Sequence, residues 1–535
     1  MKKILLTIAA LVLMYSNSYS QTTIPGGIVS GTWTHAGSPY NIMGPIMIPD
    51  GSTLTIEPGA VVNFQGTYKM LVIGQLIAIG NPRDSITFTA TNTTNGWRSI
   101  RFDNTPTTND TSIISYCIIK YGKATGPSPD DCGGALYFRN FSKAIISNCR
   151  ISDCEASDNG GGIFCENSNP PISNNTFSNN VASNVGGGIM CYIGSNPTIL
   201  NNIITGNSSQ GNGGGGISCV NSNPSIIKNI LTYNNSDSHG GGIWCNGCSP
   251  NISNNIISNN IAPFGGAISC NGSDPTIINN TITNNTSENG GAIFSANLSN
   301  PTITNNTITN NNALKGGAIY FAMLSNPTIR NTIMWGNTAS ISGQQVYIDD
   351  EGSDPNFYYC DVQGGASAFE VNFTIYTGTY QNNIDSIPLF MAESAGSGTG
   401  YNGVTADWSL QSVSPCINAG DPVGTYPATD LAGYPRVFDS TIDIGAYEFQ
   451  GYVGVNSIHK QDGLIIYPNP VIDNLVVENT QKSTLQILNV KGQIIKTIHT
   501  DLPETTIYLE DLSSGVYMLK AITGNEVTVK RFIKI

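Results

Sequence analysis

Charge is what this chain has least of. Only 11% of its 535 residues are Asp, Glu, Lys or Arg, and it has four histidines. The little charge present is mostly acidic, for a formal net of −13. That balance argues against nucleic acid or an anionic membrane as partner, because both are held by basic surface. From Ile151 to Leu314 the only basic side chains are Lys228 and His239. After the first twenty residues no stretch is apolar enough to span a bilayer, so the mature chain has no expected transmembrane segment. No apolar run has the length of a helix either. Twelve cysteines are present, but no Cys-x-x-Cys pair has a matching partner pair, which disfavours zinc. The Cys245-Asn246-Gly247-Cys248 run stands alone.

What the chain does have is repetition. Between residues 133 and 320 a small-residue triplet and a large apolar residue recur eight times, at Leu136, Ile163, Ile189, Ile217, Ile243, Ile268, Ile293 and Ile319. Successive members lie 25 to 28 residues apart. A fixed period of that size marks a solenoid whose repeats bury their apolar faces against one another. Within a repeat, as in Gly290 to Lys315, apolar residues alternate with a period of two. β-branched Ile and Thr fill those runs, and Gly, Asn and Pro separate them. Each repeat is therefore expected to form three short strands and three turns.

Further columns keep the same register. A second inward position holds Ile172, Ile199, Ile226, Ile252, Ile277, Ile303 and Ile329, and a third runs from Phe177 to Met334. One turn column is Asn175, Asn202, Asn229, Asn255, Asn280 and Asn306; another is Asn180, Asn207, Asn234, Asn260, Asn285, Asn311 and Asn337. Asn accepts the left-handed backbone of sharp turns, and stacked amides can hydrogen-bond from rung to rung. Cys165, Cys191, Cys219, Cys245 and Cys270 share an inward column. They read as buried thiols filling small spaces, with strained disulfides as the alternative.

The G-G-[GA]-I and N-P-T-I-x-N-N-T-I-T-N-N motifs, over residues 133 to about 340, resemble the right-handed parallel β-helix proteins of the pectate-lyase-like superfamily. The resemblance implies an all-β right-handed solenoid with three strands per coil and about 26 residues per coil. It leaves activity open, because lyases, glycoside hydrolases, adhesins and proteins without known chemistry share the fold. The runs Ile48–Gly59, Val72–Ile79 and Trp97–Phe102 look like the opening coils.

The ends carry export signals. Residues 1–20 have the form of a cleavable secretory signal: Lys2 and Lys3, an apolar stretch from Ile4 to Met14, and Ser18-Tyr19-Ser20. Residues 463–535 lose the Asn and Gly bias and read as about seven alternating strands of a small β-sandwich. Tyr467-Pro468-Asn469-Pro470, Leu512-Ser513-Ser514-Gly515-Val516-Tyr517 and the basic ending Lys530–Ile535 resemble the sorting domain of the type IX secretion system. That likeness implies the type IX machinery as a partner and a secreted or cell-surface location. The expected organisation is then a signal (1–20), an N-terminal cap with opening coils (21–130), regular coils (131–360), irregular coils and an end cap (361–450), a linker (451–462) and the sandwich (463–535). Ser414–Pro422, Asp430, Pro435-Arg436 and Ile442–Glu448 resemble the choice-of-anchor segment that follows such repeats. Asp421, Asp430, Asp443 and Glu448 are the candidates for a calcium ion, a hard cation that prefers carboxylate oxygens.

Three functional classes stay open. A β-eliminating lyase requires a base and a cation for the uronate, and the regular coils hold almost none. A glycoside hydrolase requires converging carboxylates, whereas Asp153, Glu155, Asp158, Glu166, Asp237, Asp274 and Glu288 are scattered. A catalytic site could still be built by the irregular residues 340–450, where Asp349, Asp350, Glu351, Asp354 and Tyr358 cluster. The second class is a polysaccharide-binding, adhesin-like surface. If Ile163 and Cys165 face in, Phe164 faces out, and an outward stripe follows from Tyr137, Phe164, Met190, Tyr192, Trp244, Phe294 and Tyr320. Aromatic faces stack on sugar rings. Covering loops or a neighbouring molecule would leave that stripe unused. The third class is a passive structural spacer.

Overall fold

Two adjacent glycines open each regular coil, for different physical reasons. Gly240 has φ +56°, a backbone that side chains rarely adopt. Gly241 follows, and a Cβ there would lie 2.5 Å from the Ile261 carbonyl oxygen and 2.6 Å from that of Gly266. The first glycine makes the turn, and the second lets neighbouring coils approach. The chain then enters a four-residue strand such as Ile243–Asn246. The computed structural model describes residues 21–451 and 464–535, apart from 373–374, 425, 439–440, 479, 491 and 525. The signal expected at 1–20, and all of the 451–462 linker but Gly451, lie outside the described residues.

The strands stack in register into three parallel sheets of fourteen strands each. The first sheet runs from Gly27–Ile28 to Glu370–Val371, the second from Gly31–Trp33 to Tyr380–Gln381, and the third from Thr22–Ile24 to Asp361–Val362. Fourteen rungs rise roughly 60 Å. The solenoid therefore extends well beyond the eight repeats that the sequence displays most clearly. The three expected apolar columns are fully buried in one continuous core, including Ile163, Ile189 and Ile217. A fourth, minor ladder of two-residue strands, such as Glu155–Ala156 and Val181–Ala182, fills one corner. Among the described residues there is no α-helix, only 3-10 turns at His35–Gly37 and Ala366–Ala368.

The asparagine pairs divide their roles, where the sequence reading gave both roles to one residue. The first of each pair takes the left-handed backbone: Asn254 and Asn279 have φ +57° and +55°. The second forms the ladder. Asn255 Oδ1 accepts the Asn229 backbone N–H at 2.8 Å and its side-chain amide at 3.1 Å, and Asn255 Nδ2 donates to Ile226 O at 2.9 Å. The second column repeats this pattern from Asn180 to Asn337. These amides satisfy turn groups that would otherwise be buried without partners.

All twelve cysteines are buried and unpaired. Five form the expected inward column. Cys149 and Cys154 stand where later coils hold ladder asparagines, since their N–H groups donate to Asn175 Oδ1 and Asn180 Oδ1. Cys248 takes the place of a turn serine, its N–H donating to Ser273 Oγ at 3.1 Å. The Cys-x-x-Cys spacing thus joins an inward-column thiol, Cys245, to a turn-column thiol, Cys248.

At the C-terminal end the structure corrects one expectation. The last rungs are closed by Phe369, Tyr376 and Tyr380, packed around Phe357 at 5.0 to 6.4 Å. The segment expected as an end cap lies along the outer face of the third sheet instead. There Phe390, Trp408, Leu410, Cys416 and Ile444 bury Ile333, and Ala446 N–H donates to Thr307 Oγ1. The left-handed asparagines hold this segment through their free side chains: Asn259 Nδ2 donates to Tyr401 O at 2.6 Å and Asn279 Nδ2 to Thr429 O at 2.9 Å.

The C-terminal unit is the expected seven-stranded sandwich, with antiparallel sheets of three and four strands. Asn469 accepts the Ile533 N–H and so ties the Tyr467–Pro470 motif to the last strand. Ile533 packs on Ile203, Ile230 and Val404, with Val516 and Ile535 beside it. Ile203 and Ile230 point outward from the third sheet, an apolar excess that the sorting unit covers.

Candidate functional site

The outward stripe is in register, as the alternation requires: Tyr137 pairs with Phe164, Phe164 with Met190, and Ser218 with Trp244. The structure corrects its exposure. Tyr137, Phe164, Met190, Trp244, Phe294 and Tyr320 are buried, and only Tyr192 is half-buried. The cover comes from the turn just before each glycine pair, whose successive residues stack as Val185, Gly213, His239, Phe264 and Asn289. His239 packs flat between Trp244 at 6.0 Å and Phe264 at 5.0 Å, and burial lowers its pKa.

This cover splits the stripe in two. Phe294 and Tyr320 join Tyr347 in one cluster. Tyr137, Phe164, Met190, Tyr192 and Trp244 line a groove of about 600 Å³. Gly213 falls in the covering column and packs closely on Trp244: a Cβ there would meet His239 O at 2.6 Å and the Trp244 ring at 2.9 Å.

Polar groups complete the walls. Glu166 accepts the Tyr137 hydroxyl, and its carboxylate lies 3.4 Å from Arg139 Nε. Burial, then this carboxylate, pushes the Tyr137 hydroxyl far up, so Tyr137 is a donor and not a base. Trp244 Nε1 and Ser218 Oγ are buried without hydrogen-bond partners. Such groups cost about 1–3 kcal/mol each when left unmet. At one end Asp131, Cys132 and Asp158 bring three potential metal ligands within 4.8 Å of one another. Burial raises the Cys132 thiol to about 12, which keeps it protonated at neutral pH.

The other candidates are structural. Arg436 is buried among Asp430, Asp443 and Glu448, three of the four calcium candidates, and holds Gly445 O at 2.6 Å. Their carboxylates accept backbone N–H groups: Asp443 from Asn418 and Phe449, Glu448 from Phe438 and Asp443, Asp430 from Tyr434 and Glu448. The buried Arg436 guanidinium lies near these carboxylates, 4.0 Å from Glu448 Oε2, and its own hydrogen bonds go to backbone carbonyls. Asp421 is paired with Arg330 instead. In the acidic cluster, which falls within the last rungs, Asp350 accepts from Leu324, Gly352 and Ser353, and Asp354 from Thr377. Tyr358 lies under Arg330. These residues fasten turns and do not converge on a cavity.

No curated protein and no solved structure matches the chain. The family described as "Right handed beta helix region" matches residues 46–211, 100–282 and 241–387, and "Secretion system C-terminal sorting domain" matches 465–535. The sorting domain marks the chain for the type IX secretion machinery and for a secreted or surface location. No described helix is long and apolar enough to cross a membrane. Coils, columns and tail together place the chain in the right-handed β-helix family, as an exported member that carries its own sorting domain.

Proposed function

We propose that the protein is an extracellular binding scaffold that holds a polysaccharide chain in the groove beside the first sheet, an adhesin-like role. The observation that carries this reading is Trp244. Its ring lines the groove, and its indole N–H is buried with no partner in the protein. An unmet donor on an aromatic wall suits a sugar, which offers an apolar ring face and hydroxyl oxygens together. Half-buried Tyr192, Arg139, Glu166 and Asn246 stand along the rim.

The test is binding of the secreted chain to a broad panel of polysaccharides by isothermal titration or affinity electrophoresis. Trp244→Ala removes one hydrogen bond and one ring face, and should weaken binding about tenfold or more. No binding across the panel, or an unchanged affinity in the variant, removes the proposal. Release of reducing or unsaturated ends during incubation would replace it with a catalytic reading.

A further inference from the structure

The groove's charges and unmet polar atoms bear on which polysaccharide it takes, a question that rests on the binding role proposed above. Three charged residues line it: Arg139, Asp158 and Glu166. Arg139 is engaged with Glu166. Asp158 is met only by neutral or weak donors: the Asn159 amide at 2.7 Å, the Asn184 amide at 3.0 Å and the Cys132 thiol at 3.8 Å. Asp131 lies beside it, and its Oδ1 is buried without a hydrogen bond.

Cations do stand behind this wall, but they have other partners. Lys69, Arg98 and Arg101 converge on Asp130 at 2.8, 3.2 and 3.0 Å, and Arg101 also holds Asp103 at 2.8 Å. The groove's one lining cation is therefore Arg139, which already faces Glu166 and is outnumbered by the carboxylates of Asp158 and Glu166, and the groove sits on a chain of net charge −13. Its unmet atoms are of both kinds: donors on Trp244 Nε1 and Arg139 Nε, and an acceptor on Asn159 Oδ1. A hydroxyl answers both, since it donates and accepts. A carboxylate cannot donate to Asn159, and it would add a third negative charge to those of Asp158 and Glu166, with Arg139 alone to offset them.

We infer that the groove selects an uncharged, polyhydroxylated polysaccharide and excludes chains of uronic acid. The experiment compares the full secreted chain against a neutral glucan, a galactomannan, polygalacturonate and alginate at about 0.1 M salt. Uronate polymers should bind at least about tenfold more weakly than the best neutral one. That gap should narrow at about 1 M salt, where charge repulsion is screened. The double variant Asp158→Asn/Glu166→Gln removes two facing carboxylates and leaves Arg139 unpaired, so it should gain affinity for polygalacturonate by about fivefold or more. Circular dichroism melting confirms that it is folded, and Glu166→Gln alone should give a smaller gain in the same direction. If the wild type binds a uronate polymer as tightly as any neutral one, this inference is overturned and the polysaccharide role stands. Binding to none of the polymers overturns both.

Discussion

Asn254 and Asn255 are neighbours of the same residue type, yet the structure assigns them different energies. Asn255→Ala leaves the Asn229 N–H without a partner in a fully buried turn and takes one donor from the Ile226 carbonyl, which keeps its place in the parallel ladder. One unmet buried N–H at about 1–3 kcal/mol, together with the space the amide vacates, puts the loss at about 2–3 kcal/mol. Asn255→Asp should be worse, because the replaced amide nitrogen donates to Ile226 O and to Asn280 Oδ1, and a second oxygen would face both. Asn254→Gly keeps the φ of +57°, which glycine adopts freely, and loses only a 3.4 Å contact to the Asn279 amide. It should change stability by less than about 0.5 kcal/mol. Guanidinium unfolding followed by circular dichroism ranks the three variants. Hydrogen exchange at the Asn229 amide reads the local opening, which matters because coils of a solenoid need not unfold together. Equal losses for Asn254→Gly and Asn255→Ala, or a loss below about 1 kcal/mol for Asn255→Ala, would refute the division of roles.

Three further outcomes are expected. Tyr233 is half exposed and holds φ +55° where other coils place Asn, so Tyr233→Asn should raise the melting midpoint, by about 0.5–1 kcal/mol of stability. Ile230→Asp places a charge under Ile533, and hydrogen exchange over the last strand, Glu526–Lys534, should rise while the isoleucine columns of the core stay protected; unchanged protection there would show that the sorting domain is held by other contacts. Asp361 is buried against the Cys416 thiol, and burial raises its carboxyl to about 7. Its folded pKa lies above the unfolded one, so the stability it gives is complete below about pH 4 and is lost as pH rises through 7. The loss is at most about 4 kcal/mol, and Asp361→Asn should flatten the slope of melting temperature between pH 5 and 8.

The fold was largely legible because its signal is repeated. A one-residue shift would have turned every inward residue of the column outward, and seven periods kept Leu136 through Ile319 in phase. The groove was only half legible. Alternation correctly placed Phe164 and Trp244 on the outer face, but their cover comes from a column whose members, Val185, Gly213, His239 and Phe264, share no chemistry and so form no visible pattern. The choice of Arg436 as counter-ion for Asp430, Asp443 and Glu448 depends on irregular turns, which spacing does not encode. Ile203 and Ile230 were readable as misplaced apolar residues on a polar face. Only the folded tail shows what they meet.

The asparagine ladder has one more consequence. Each coil brings both halves of the contact, an oxygen for the coil before it and an amide for the coil after. Removing one whole coil, or copying one, rejoins the same halves at the new seam. Gene duplication in steps of about 26 codons could therefore lengthen or shorten this molecule without redesigning its interior, and reach could evolve separately from recognition.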